Sequence, residues 1–225
     1  MREEKLFEKF GVKRIINGLT PFLTDQRCAR IDRLLKSRIG SVHVAAESPA
    51  DLHNAFAMVR TAEALGVCHF HLIGQERKGR MGRQTMRGTE RWMHLRLHTE
   101  FDDFIADTKG ISLIGATPRA ELTLEQVPID RPICLIFGNE NRGLSDKALQ
   151  QCDLTYTIPM YGMCESFNLS VSCGISLFDV LRRKREYLGK QGDLTSQRIE
   201  IERARSYIRS LGVKRSDQLL SLVSD

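Results

Sequence analysis

The sequence predicts an α/β fold: a parallel sheet flanked by helices, with helical extensions at both ends. Three observations carry this. Short apolar runs recur along the chain with helix-like stretches between them, the pattern of strand–helix–strand units. One run, PICLIFG at 132–138, is apolar almost without a break, as a strand covered on both faces requires. Beyond these runs, both chain ends are highly charged and helix-like. The predicted layout is a helical extension over 1–40, a main domain over 41–188 and a basic helical extension over 189–225.

Each element follows from its residues. Residues 21–38 read as an amphipathic helix, because Phe22, Cys28, Ile31, Leu34 and Leu35 recur near the helical period. SVHVAA, 41–46, is the first strand, and HNAFAMVRTAEAL, 53–65, a helix ended by Gly66. HFHLIG, 69–74, is the second strand. A glycine- and arginine-rich loop follows, ERKGRMGRQTMRGTER. WMHLRLH, 92–98, alternates like a strand, and 100–108 is helical. ISLIGAT, 111–117, and PICLIFG are strands; GNENRGLS is a loop, and a helix starts over 145–151. LTYTI, 154–158, is the last strand, before a long helix over 167–188 and a charged helical segment over 194–223. Ligands of parallel sheets sit beyond the carboxyl ends of the strands. Those ends fall at Glu47–Asn54, Gly74–Arg83, Thr117, Gly138–Gly143 and Pro159–Ser166.

The composition excludes several classes. At 41% hydrophobic and 28% charged the chain is globular rather than disordered. No apolar run is long enough to span a bilayer. The N-terminus, MREEKLFEKFGVKR, lacks a secretory core, so a cytoplasmic protein is expected. The six cysteines show no metal-ligand spacing, and no metal is expected. The net charge of +6 is unevenly spread: residues 1–40 carry +5, 77–96 carry +6 and 182–215 carry +7, which leaves the remainder at −12. Three basic segments on an acidic body point to a polyanionic partner.

The usual phosphate motifs are missing: no G-x-G-x-x-G follows a strand, and there is no P-loop. G-x-S-x-G is absent too. Gly138-Asn-Glu-Asn-Arg-Gly143 is either an anion cradle or a plain turn. The segment IPMYGMCESFNLSVS, 158–172, is unusual because its loop is apolar. Met160 and Met163 suit a slot for a flat ring, and the free N–H groups of the following helix suit polar groups. Ser166 alternatively is only the helix cap.

Three segments together resemble the SPOUT class of RNA methyltransferases, in the branch that methylates the ribose 2′-hydroxyl. They are Asn54-Ala-Phe-Ala-Met-Val-Arg60 with TAEALGV, Ile136-Phe-Gly-Asn-Glu140-Asn-Arg-Gly-Leu, and the I-P-M-x-G-M…S-x-N core of 158–168. The resemblance runs from about Asp25 to Arg185. It implies that the C-terminal part of the fold threads a deep trefoil knot, a rarity among folds. It also implies S-adenosylmethionine as cofactor and a homodimer. By position, Thr117, Gly138, Ile158, Met160, Met163 and Phe167 would contact the cofactor. Relatives often carry Leu where Phe167 stands and Gln where Glu165 stands. Arg60 would activate the ribose hydroxyl, with Asn54, Glu140, Ser166 and Asn168 shaping the site, Glu140 by holding Arg60 or a loop. A guanidinium is a poor base near neutral pH, so Arg60 alternatively anchors a phosphate that takes the proton. Arg60 is expected to be buried beside Phe56 and Val59, where an ion pair is the structural alternative.

The layout is most like that of family members acting on guanosine 18 of tRNA, which begin with a basic helix similar to TDQRCARIDRLLKSR, 24–38. Arg27, Arg30 and Arg33 of that helix, with Arg83, Arg87 and Arg91 of the Gly/Arg loop, are the expected RNA contacts. Ribosomal RNA and a catalytically silent RNA-binding role are the alternatives.

Overall fold

The computed structural model describes residues 3–74 and 88–222. The chain forms two compact units, one of residues 39–190 and one joining residues up to 38 with those from 191.

In the larger unit a seven-stranded sheet is built of β1 (Ile39–Glu47), β2 (Val67–Ile73), β3 (His94–His98), β4 (Ser112–Ala116), β5 (Leu122–Thr123), β6 (Ile133–Phe137) and β7 (Leu154–Thr157). All pairs are parallel, in the order β3-β2-β1-β6-β4-β7-β5. β6 is buried at all five residues, as its unbroken apolar sequence predicts. Its alternate side chains feed two cores. One face meets α3 (Leu52–Ala64) and α6 (Leu169–Leu188) through Val44, Phe70, Leu135, Met58 and Leu177. The other meets α4 (Phe101–Asp107) and α5 (Asp146–Gln151) through Ile73, Ile136, Phe104 and Ala148. Tyr156 of β7 is fully buried and donates to Ser176 Oγ of α6 at 2.7 Å, a satisfied polar pair inside the first core.

The strand order reverses between β1 and β6. From β1 the chain steps outward to β2 and β3, then crosses to β4, and β6 later fills the gap. The crevice beyond their carboxyl ends is where such sheets take ligands. The register makes that edge level: Ala46 pairs with Phe137, Phe137 with Ala116, and Ala116 with Tyr156. Glu47, Gly138, Thr117 and Thr157 therefore end four adjacent strands side by side.

The smaller unit packs α1 (Glu4–Leu19), α2 (Asp25–Lys36), α7 (Ser196–Leu211) and α8 (Val213–Leu222) around Leu19, Ile31, Tyr207 and Leu220. The helix expected over 21–38 begins only at Asp25, because Thr24 caps it by accepting from the Arg27 N–H at 3.2 Å. Phe22 precedes that cap and is exposed, as is Leu34, so neither joins the buried stripe. The segment expected to be one helix over 194–223 breaks at Gly212, whose φ is +87°. Among the described residues no helix is long and apolar enough to cross a membrane.

Candidate active site

Glu140 is the centre of the strand-end crevice. It follows β6, and its carboxylate accepts from the backbone N–H of Ala50 at 2.6 Å and of Asp51 at 3.4 Å, in the loop after β1. It also accepts from Asn54 Nδ2 at 2.9 Å. Asn54 Oδ1 in turn accepts from Asn168 Nδ2 at 3.1 Å. Asn168 caps α6, its Oδ1 accepting from the Ser170 N–H at 2.9 Å. One row of hydrogen bonds thus joins the loop after β1, the first turn of α3, the loop after β6 and the start of α6. Burial raises the Glu140 pKa, but these hydrogen bonds outweigh it, so the carboxyl titrates below the ordinary glutamate range.

The supporting shell is equally determined. Asn139 Nδ2 donates to the Ser48 carbonyl at 2.7 Å. Ser48 has φ +44°, a left-handed backbone for a residue with a side chain, and this bond helps to hold it there. Glu47, buried at the end of β1, accepts from the Ser145 N–H at 3.0 Å, at the cap of α5. A Cβ on Gly138 would come within 2.2 Å of the Leu144 nitrogen, so only glycine fits. Asn139 and Gly143 exchange backbone hydrogen bonds at 2.9 and 2.8 Å, and Asn139 Oδ1 accepts from the N–H groups of Asn141 and Arg142. The N–H groups of Asn139, Asn141, Arg142 and Gly143 are thus bonded within the loop. Of the two readings of GNENRG, these bonds favour the turn.

The structure decides three readings that the sequence left. Arg60 is exposed, not buried, and its guanidinium has no ion pair or hydrogen bond among the described residues. It flanks the buried stripe of Ala55, Met58, Val59 and Ala62 rather than joining it. Of the two alternatives for Glu140, the loop holds: its carboxylate accepts from the N–H groups of Ala50 and Asp51. Ser166 does not cap α6; Asn168 does, because the helix starts at Leu169. On α3 the cap is Asp51, which accepts from the His53 N–H at 2.8 Å.

The expected cofactor contacts divide. Thr117, Gly138 and Ile158 lie at the level carboxyl edge, Gly138 buried and the other two partly so. Met160 is partly buried. Met163 is fully exposed in the single chain, as is nearly all of Tyr161, and Phe167 is partly open. Of the expected RNA contacts, Arg30 and Arg33 are exposed on α2, whereas Arg27 Nε donates to Ser210 Oγ of α7 at 3.3 Å. Arg91 is exposed, and Arg83 and Arg87 lie outside the described residues. Asn139, Ser48 and Glu47 escaped the sequence; only the asparagine between Gly138 and Glu140 hinted at them.

Residues 41–178 match the model of the SpoU rRNA methylase family. The chain belongs to this family. A tRNA (guanosine(18)-2′-O)-methyltransferase of Borreliella burgdorferi is 30% identical over 200 residues, covering 85% of this chain and 91% of the relative. The crystal structure of the A. aeolicus TrmH/SpoU tRNA modifying enzyme superposes with a TM-score of 0.73 at 25% identity, over 84% of this chain and 98% of that one. An AdoMet-bound rRNA methyltransferase from Sinorhizobium meliloti superposes with a TM-score of 0.57 at 25% identity, over 65% and 58%. For a SpoU-family chain, the row from Glu140 to Asn168 joins all three motif segments read from the sequence.

Proposed function

We propose that the protein transfers a methyl group from S-adenosylmethionine to the ribose 2′-hydroxyl of guanosine 18 in tRNA. The observation that carries this is the hydrogen-bonded row Glu140–Asn54–Asn168 at the reversal point of the sheet, which leaves Arg60 and Ser166 exposed and without partners among the described residues. The B. burgdorferi and A. aeolicus relatives, both named for tRNA, cover nearly all of their own length with this chain.

The residues present fit the cofactor. Gly138 keeps the strand end free of a side chain, and Thr117, Ile158 and Met160 border the same edge, with Met163 and Phe167 in the loop beyond. Bound there, S-adenosylmethionine would supply an electrophilic methyl group. The chain's own task is then to place the hydroxyl and remove its proton. Arg60 is always charged; it fixes a substrate phosphate or lowers the hydroxyl's hold on its proton. Ser166 and Asn168 orient the ribose. Glu140 keeps the loop after β1 in position and stays ionised at neutral pH.

The same proposal includes the knotted path, a cytoplasmic enzyme and a homodimer. Support for the dimer comes from α6, where Val171, Ile175 and Phe178 form an exposed stripe at helical spacing, with Tyr161 and Met163 exposed in the preceding loop. Monomers seldom leave such a patch open. The second reading, ribosomal RNA, is favoured by the family's description and by the S. meliloti structure.

The test is methyl transfer from radiolabelled S-adenosylmethionine to unmodified tRNA and to ribosomal RNA, with wild type and Arg60→Ala together. Label on the ribose of guanosine 18, absent with the variant, is the expected result. Label on ribosomal RNA alone would replace the substrate and keep the chemistry.

A further inference from the structure

Five of the six histidines stand on three adjacent strands: His43 on β1, His69 and His71 on β2, His94 and His98 on β3. Parallel register sets His43 opposite His69, and His69 opposite His94, with ring centroids 4.3 and 4.9 Å apart. A second line crosses the same face. His43 Nδ1 lies 3.1 Å from His71 Nε2, and His71 Nδ1 lies 3.0 Å from His98 Nε2. Phe104 of α4 packs edge-on against both His71 and His98. Asp107 ends α4. Its Oδ2 is 4.0 Å from His71 Nδ1 and 3.8 Å from His98 Nε2, while Arg96 holds Oδ1.

We propose that His71 Nδ1, His98 Nε2 and Asp107 Oδ2 form a binding site for a divalent transition-metal ion of the zinc type, separate from the strand-end crevice. Tetrahedral zinc with bonds of about 2.0–2.2 Å needs ligand atoms about 3.3–3.5 Å apart. The three observed separations, 3.0, 3.8 and 4.0 Å, bracket that range, so shifts of about half an ångström close the site. Two imidazoles and one carboxylate suit such an ion, whereas calcium and magnesium prefer oxygen alone. The surroundings orient the ligands. His43 hydrogen-bonds to the backbone of Gly40, and its Nδ1 faces His71 Nε2. A proton on His71 Nε2 then leaves the Nδ1 lone pair directed at His98 and Asp107, as an outer shell does for a metal-bound imidazole. Access runs from the Asp107 side, where Arg96, His98, Asp103 and Asp107 line an open cleft. The nearby Arg96 charge opposes a cation, so micromolar rather than tighter binding is expected. The ion would tie α4 to β2 and β3. The sequence led to an expectation of no metal because its cysteines lack ligand spacing, and only the pairing of β2 with β3 and the packing of α4 bring these ligands together.

The test is cobalt(II) titration of the full, tag-free, chelator-treated protein, read by visible absorption. One equivalent per chain, with the intense bands of a tetrahedral site and displacement by zinc, is expected. Asp107→Asn should weaken binding at least tenfold while S-adenosylmethionine still binds. Imidazole nitrogen spectra give a variant-free reading: zinc should move His71 and His98 and leave His53 unmoved. No stoichiometric cobalt band, or imidazole shifts that spare His71 and His98, overturns the site.

Discussion

Arg60 and Glu140 have opposite energetic profiles. Arg60 is exposed and makes no ion pair or hydrogen bond among the described residues. Arg60→Ala should therefore leave stability within about 0.5 kcal/mol of wild type. Its loss should still cost at least about a hundredfold in methyl transfer, the low end for a group that assists proton removal. Thermal melting and a single-turnover assay on one preparation check both; a variant with full activity would remove Arg60 from the chemistry. Glu140 is the reverse case. Its two oxygens accept from Ala50, Asp51 and Asn54, and Glu140→Gln turns an N–H donor toward one of those donors. A loss of about 1 kcal/mol is expected for this partly exposed group. The pH dependence has a definite sign. A carboxyl whose folded pKa is depressed adds stability above its unfolded value, near 4.3, and loses it as pH falls through the folded value. Melting differences between wild type and Glu140→Gln should be constant from pH 6 to 8 and shrink only in the acid range. None of this was readable from spacing, since Glu140 lies 86 residues from Asn54, and Asn168 lies 114 from it. Motif resemblance marked the three residues; the fold shows that they hold one another.

Elements were legible where burial leaves a signature in the sequence. β6 shows as PICLIFG because both faces are covered, and α3 shows as a periodic stripe closed by Gly66, whose φ of +92° suits glycine. β5 was missed because two residues, Leu122 and Thr123, carry no period. α1 was seen only as a charged extension, since Gly11 interrupts its helical backbone and its apolar face is correspondingly blurred. α6 shows a second, less obvious pattern. Its inward positions Cys173, Leu177, Val180 and Leu181 are buried, yet Phe178 is 64% exposed beside Ile175 and Val171. An aromatic side chain left open at the edge of an apolar stripe is expected to lie under a second copy. Phe178→Asp should leave the fold intact, because the residue is already largely solvated, and convert dimer to monomer in sedimentation equilibrium. An unchanged mass would separate this stripe from self-association.

At the scale of the whole molecule, charge counted along the sequence overstates charge free to meet RNA. The segment 182–215 carries +7, but its basic groups are largely engaged. Arg182 pairs with Asp179 and Glu186, and Arg183 donates to Asp179 and to the Val127 and Leu124 carbonyls. Lys184 is buried on the Ile129 carbonyl, and Arg185 donates to that of Leu65. In the smaller unit Arg203 meets Asp32, and Arg205 and Arg209 meet Glu3. These contacts explain a basic tail without any ligand. Arg30 and Arg33 differ: both are exposed, on one helix, with no ion pair among the described residues. If the smaller unit binds tRNA through phosphates, these two carry a measurable share. Each phosphate contact in single-stranded or duplex nucleic acid contributes about 0.7–0.9 to the slope of log K against log salt. Arg30→Gln with Arg33→Gln should therefore flatten that slope by up to about 1.8 and weaken tRNA binding several-fold at low salt. The effect should fade as salt rises, and the affinity for S-adenosylmethionine should not change. The same double substitution at Arg182 and Arg183 should instead lower the melting temperature and leave the slope nearly unchanged, because their charge is already spent inside the larger unit. Equal slopes for wild type and the Arg30/Arg33 variant would place the RNA-binding charge elsewhere, with the basic segment 77–96 as the next region to substitute.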